Sequence, residues 1–397
     1  MSILFTPTKI GSLKLKNRFI TSATVECLVT EENLITDKYL KVYNRLSKGG
    51  VGLIIPGNYF VTKTGVAVAK NLVIDNDNVI VGLRKLTDIV HENDTHIVAQ
   101  LNHGGRQCSP EVIGQTPISP SSVKDRLTGI RPRTIKTEEI AEIIKAFAQA
   151  ALRTKQAGFD GVQLNAAHGY LINQFLSART NRRKDEWGGS FENRMRFLLE
   201  IYHAIRSQVG KEFPVLVKIN AQDNIKNGVT LSESIALSKK LDEIGIDAIE
   251  ISGGIKETGF TTTKGDIPED LLLNNINMLQ GFLFKLIKGK LEKAAQFQDG
   301  YHLAQATAIK KSVSVPIILV GGLRKRVMME NVLEQGNADL VSMSRPFIRQ
   351  PNLVNQFLKH PDSECITCVN CNRCTVEITI NNKPLRCYYT SKKFKER

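Results

Sequence analysis

Three sets of residues in this chain are of types that do chemistry. The first is Asn165, His168 and Tyr170, a polar cluster that closes the short apolar run Gly161-Val162-Gln163-Leu164. Its members donate hydrogen bonds or exchange protons. They stand where a strand gives way to a loop, and there α/β folds hold reactive groups over a rigid floor. The second set is Gly321-Gly322 in Val320–Leu323, together with Ser344-Arg345 in Ser342–Pro346. Glycines let backbone N–H groups approach a phosphate closely, and an arginine pairs with it. The third is Cys365-x2-Cys368-x2-Cys371-x2-Cys374 followed by Cys387, five of the seven cysteines. Thiols at two-residue spacing in a chain read as cytosolic point to a metal rather than to disulfides, with zinc, an iron–sulfur cluster and free thiols all open. Lys218 joins these candidates because it interrupts a buried-strand pattern, which is costly unless the charge is paired.

These residues need elements to hold them. Runs with strand character cover 19–22, 51–55, 97–101, 161–164, 215–219, 248–251, 317–320 and 340–343. Helical periodicity fills 36–47, 78–92, 137–156, 191–208, 231–243, 301–311, 325–334 and 353–359. Thr137-Glu138-Glu139 and Leu231-Ser232-Glu233 have the hydroxyl-then-acid pattern of helix starts. Strands alternating with helices in this number predict a (β/α)8 TIM barrel rather than a doubly wound sheet. On that fold Gly321-Gly322 follows the seventh strand and Arg345 the eighth, a common place for a phosphate. Two stretches exceed a minimal barrel: the polar loop 102–132 after the third strand and the insertion 253–299 after the sixth. Apolar runs within 271–284 predict that part of the insertion packs as a lid or subdomain. The expected layout is a barrel over 1–360 and a cysteine-rich segment over 361–397.

Composition narrows the function classes. The chain has 397 residues and 42% hydrophobic content, enough for a sizeable core, and no apolar run long enough to span a membrane. The first residues lack the apolar core and cleavage site of a signal peptide, so the expected location is cytoplasmic. The net charge of +15 invites a nucleic-acid reading. Against it, the lysines are scattered apart from Lys392, Lys393, Lys395 and Arg397, and no basic segment interleaves with aromatics. Neither nucleic acid nor membrane is an expected partner. A positive field suits anionic cofactors and substrates such as NAD(P)H or CoA esters.

The stretch 158–200 also carries a family pattern. Asn165, His168, Gly169, Tyr170, Gln174 and Phe175 are followed by Asn181, Arg183, Asp185, Gly188, Gly189, Glu192, Asn193 and Arg194. In these positions the chain resembles the old yellow enzyme family, FMN-dependent NAD(P)H:flavin oxidoreductases and ene-reductases. The resemblance implies an FMN whose phosphate lies at Gly321, Gly322, Ser344 and Arg345. It implies a flavin ring against Ser22, Ala23, Thr24 and Asn58, with Gln100 on the pyrimidine edge and Lys218 beside N1. It further implies that Asn165 and His168 hold a substrate carbonyl oxygen, that hydride leaves flavin N5 for the β-carbon, and that Tyr170 protonates the α-carbon. NADH or NADPH is then the reductant, and a small alkene (an enone or enoyl ester) the substrate.

The chain departs from the family in two places. The flavin segment reads Ser22-Ala23-Thr24-Val25, where the family has A/S-P-M-T/C, so Val25 replaces a residue that hydrogen-bonds the flavin. The cysteines differ from the C-x2-C-x3-C-x11-C of the branch around 2,4-dienoyl-CoA reductase, which carries a 4Fe–4S cluster. Asn372 falls where the third ligand would be. Cys365, Cys368, Cys371, Cys374 and Cys387 are therefore candidates for a 4Fe–4S cluster or zinc, not all of them as ligands. Two alternative readings are a flavin/Fe–S electron carrier with an electron-transfer partner, and a flavin-free phosphate-binding barrel with lyase or isomerase chemistry. A homo-oligomer stays open.

Overall fold

The computed structural model describes residues 2–275, 278–361 and 366–389; Cys365 and the basic run at 392–397 lie outside the described residues. Eight parallel strands form its centre: β1 (Phe19–Thr21), β2 (Leu53–Ile54), β3 (His96–Asn102), β4 (Gly161–Ala166), β5 (Val215–Asn220), β6 (Ala248–Ser252), β7 (Ile317–Val320) and β8 (Leu340–Met343). Each pairs with the next, and β8 returns to β1 through Val341 opposite Phe19, so the sheet closes. This is the expected (β/α)8 barrel. Its main helices are α1 (Asp37–Lys48), α2 (Val79–His91), α3 (Thr137–Gln156), α4 (Phe191–Val209), α5 (Leu231–Glu243), α6 (Leu303–Lys310), α7 (Arg326–Glu334) and α8 (Leu353–Lys359).

Strand periodicity stratifies the barrel interior. Alternate residues of a strand face the same side. The lower inward positions Ile20, Leu53, Val98, Leu216, Ala248, Ile318 and Leu340 form one buried apolar cluster. A hairpin of Thr8–Ile10 and Leu13–Leu15 closes that end with Ile10, Leu13 and Leu15. Two residues further along the strands stand Ser22, Gln100, Gln163, Lys218, Glu250 and Ser342, all buried and polar. Two further on come Asn102, Asn165, Asn220 and Ser252. Burying each large apolar side chain of the floor contributes roughly 1.5–3 kcal/mol, and that floor carries the desolvated polar layers above it.

Helices α3 and α5 start at Thr137 and Leu231, where the hydroxyl-then-acid pattern placed them. The cap of α5 is Thr230: its Oγ1 accepts from Glu233 N at 3.3 Å and Glu233 accepts from Thr230 N at 2.9 Å. Helix α3 follows Lys136, whose N–H donates to Glu139 at 2.9 Å. In the insertion, helices Glu269–Leu273 and Met278–Ala295 form, but part of the expected packing does not. Met278 (92% exposed), Phe282 (60%) and Leu286 (66%) recur every four residues, so helical geometry carries them together to the outer side.

Candidate active site

The polar end of the barrel opens into a hollow of about 910 Å³. Its walls bring together Ser22, Ala23 and Thr24 after β1, His168 after β4, Lys218 on β5, Gly321 and Gly322 after β7, and Ser344 and Arg345 after β8. Gly321 and Gly322 have φ of +113° and +73°. A Cβ at Gly321 would meet the Tyr301 ring at 2.6 Å, and one at Gly322 the Gln298 carbonyl at 2.5 Å, so the turn accepts only glycine.

Asn58, Gln100, Asn165 and Tyr170 do not line this hollow; the first three form a hydrogen-bonded chain beside it. Gln100 Nε2 donates to Gln163 Oε1 at 2.7 Å, and Asn165 Nδ2 donates to Gln100 Oε1 at 3.1 Å and to Asn58 Oδ1 at 3.3 Å. Burial pushes the Tyr170 phenol up to about 12, so it stays protonated. His168 sits at φ +60°, held by three contacts. Its N–H donates to Asn220 Oδ1 (3.1 Å), its carbonyl accepts from Gln107 (2.7 Å), and its Nε2 lies 2.8 Å from Ser252 Oγ. Burial, reinforced by Lys218, lowers its imidazole to about 3, so the ring is neutral and acts as a hydrogen-bonding group.

Lys218 is not a lone cation. Its Nζ donates to Ser22 Oγ at 2.7 Å and lies 3.3 Å from Glu250 Oε1, with both side chains buried. Above, Glu257 accepts from Arg106 (2.7 Å) and Arg179 (2.9 and 3.1 Å), tying together the loops after β3, β4 and β6. Burial alone would raise the Glu257 carboxyl, but Arg179, the Arg126 N–H and Arg106 bring it down to about 2.

Cys368, Cys371, Cys374 and Cys387 line one smaller cavity, of about 320 Å³, that shares Arg345, Ile348 and Cys374 with the larger one. None of the four is in a disulfide. Asn372, marked in the sequence as the place of a third ligand, instead accepts from Arg345 and donates to the Thr263 (2.7 Å) and Asp266 (3.0 Å) carbonyls. Asn372 and Cys374 both line the cavity wall. Among the described residues no three His, Cys, Asp or Glu side chains converge closely enough to hold a single metal ion.

Residues 3–256 and 256–364 match the family model described as NADH:flavin oxidoreductase / NADH oxidase. The chain belongs to that family. Among its members, an NADH oxidase of Thermoanaerobacter brockii is 35% identical over 97% of this chain and 55% of its own length. The chain thus spans about half of that relative. A 2-naphthoyl-CoA reductase in complex with 2-naphthoyl-CoA superposes with a TM-score of 0.85 at 27% identity, covering 97% of this chain and 56% of that one. The old yellow enzyme homologue of Zymomonas mobilis superposes with a TM-score of 0.71 at 25% identity, covering 90% and 92%.

For a flavin of this NADH:flavin oxidoreductase family, the hollow has a suitable donor set. Arg324 and Arg345 stand with the glycine turn at one end and Lys218 on another wall. His302 Nε2 and Ser342 Oγ, both on its walls, are buried without a protein partner, as polar groups are when a ligand completes them. Sequence reasoning missed Gln163, Glu250, Ser252, His302 and Arg324. Gln163 and Glu250 carried a usable signal, since each interrupts an apolar strand as Lys218 does. His302 and Arg324 sit in loops with no distinguishing pattern. No described helix is long and apolar enough to cross a membrane.

Proposed function

We propose that the chain binds FMN in the large hollow and uses NADH or NADPH to reduce the activated C=C bond of a small enone or enoyl ester. When bound, FMN supplies hydride transfer between nicotinamide and substrate. The observation that carries the reading is one cavity whose walls hold a glycine turn, two guanidinium groups, a buried lysine and a neutral histidine. Gly321, Gly322, Ser344, Arg345 and Arg324 hold the phosphate. Ser22, Ala23 and Thr24 floor the ring, with Lys218 placed to favour negative charge on it. His168 polarises the substrate carbonyl oxygen, and Tyr170 gives its proton to the α-carbon. Asn165 has its amide N–H groups engaged by Gln100 and Asn58, so it assists only by exchanging one of those bonds. The 2-naphthoyl-CoA bound to one structural neighbour supports an acyl-CoA-type enoyl ester as a substrate class.

A second reading rests on a separate observation. Four free thiols line one cavity against the wall of the flavin site, the number of thiolates that a 4Fe–4S cluster takes. Cys368, Cys371, Cys374 and Cys387 would be its ligands, making electron transfer through a partner protein the alternative activity. One experiment tests both: a visible spectrum and iron assay on anaerobically purified protein, followed by NAD(P)H-driven enone turnover. Colourless folded protein that does not take up FMN overturns the flavin reading. Flavin without iron removes the cluster.

A further inference from the structure

The barrel interior contains a carboxylate that no step above uses. Glu250 is fully buried on β6, and strand register sets it directly opposite Lys218. Its Oε1 accepts from Ser22 Oγ at 2.8 Å and faces Lys218 Nζ at 3.3 Å; its Oε2 accepts from Gln163 Nε2 at 2.9 Å. A carboxylate only accepts hydrogen bonds, so Gln163 must turn its NH2 toward Glu250. Gln163 Oε1 is then left to accept from Gln100, and Gln100 Oε1 to accept from Asn165. The second Asn165 N–H goes to Asn58 Oδ1. One carboxylate end thus orients Gln163, Gln100 and Asn165 in turn.

We infer that Glu250 is a positioning residue: it offsets the charge of Lys218 at the flavin edge and sets the polarity of the Gln163–Gln100–Asn165–Asn58 chain. The inference rests on the FMN reading, because Lys218 acts on a bound flavin. A buried carboxylate beside that lysine keeps its field from acting undiminished on a reduced, anionic ring. Removing the negative charge therefore favours the reduced flavin.

The test is the midpoint potential of bound FMN in wild type and in Glu250→Gln, which keeps size and loses charge. The expected result is a rise equal to at least a tenfold gain in the reduced-to-oxidised ratio, about 30 mV for a two-electron couple. Alkene reduction should also fall more than flavin reduction by NAD(P)H, since a neutral amide in place of the carboxylate no longer dictates which way the other amides point. An unchanged or lowered potential with FMN retained overturns the inference. If E250Q does not accumulate as a flavoprotein, Glu250→Asp decides, because it withdraws the carboxylate from Lys218. A raised potential supports the role, and an unchanged one overturns it. Failure of wild type itself to bind FMN is a different outcome, and it removes the parent reading.

Discussion

Arg345 Nη1 donates to Asn372 Oδ1 at 2.6 Å, joining the turn after β8 to the cysteine-bearing segment. Its Nη2 donates to the Lys264 carbonyl at 2.8 Å. Both bonds fix the guanidinium at the edge of the hollow. Arg345→Ala should therefore weaken FMN binding about 10–100-fold, the loss of a charge-assisted contact. Fluorescence titration of flavin-stripped protein measures it; wild-type affinity in the variant would remove Arg345 from the phosphate site.

Tyr170 is kept protonated by burial. Tyr170→Phe should leave flavin reduction by NAD(P)H near wild type and slow enone reduction by about 10²-fold or more, the usual weight of a positioned acid. Stopped-flow measurement of the two half-reactions separates these effects. Equal enone rates in both proteins would mean that the proton comes from elsewhere.

Cys374 alone of the four thiols borders both cavities. Under the cluster reading, Cys374→Ser should lower iron content and change the paramagnetic resonance signal of the reduced protein. Identical iron and signal in Cys374→Ser would exclude it as a ligand.

Glu26 reports on pH. It is buried, accepts from Tyr43, from Tyr39 (3.2 Å) and from the Gly57 N–H (2.8 Å), and burial outweighs these bonds to raise its carboxyl from 4.5 to about 7. The folded state thus holds a proton that the unfolded chain has released between those two values. Stability is highest below the lower value and declines as pH rises through the upper one, by an amount on the order of 3 kcal/mol. Thermal melts from pH 5 to 8 should show the decline, and Glu26→Gln should flatten it. A slope that persists in the variant would assign the effect to another group.

The barrel was legible because its strands are short apolar runs, each followed by a helix, and buried parallel strands leave that trace. The polar strand end at Asn165, His168 and Tyr170 was visible from residue type; that His168 alone of the three lines the hollow was not. What stayed hidden depends on neighbours distant in sequence. Glu250 gains its meaning from Lys218 across the register and from Gln163 two strands away. Asn372 looked like a gap in a ligand series, yet it ties down residues 106 and 109 positions earlier in the chain. The outward stripe of Met278, Phe282 and Leu286 was not foreseen in a segment expected to pack as a lid or subdomain, because apolar content alone does not say which side of a helix is covered.

The shared wall at Arg345, Ile348 and Cys374 bears on order of assembly. The barrel supplies a bowl as soon as β8 closes on β1, but Thr375, Ile378 and Thr379 complete its side only when the late segment docks. A growing chain therefore presents an open bowl first and a walled hollow last. A nucleotide entering during synthesis would meet its widest doorway before residues 366–389 have emerged.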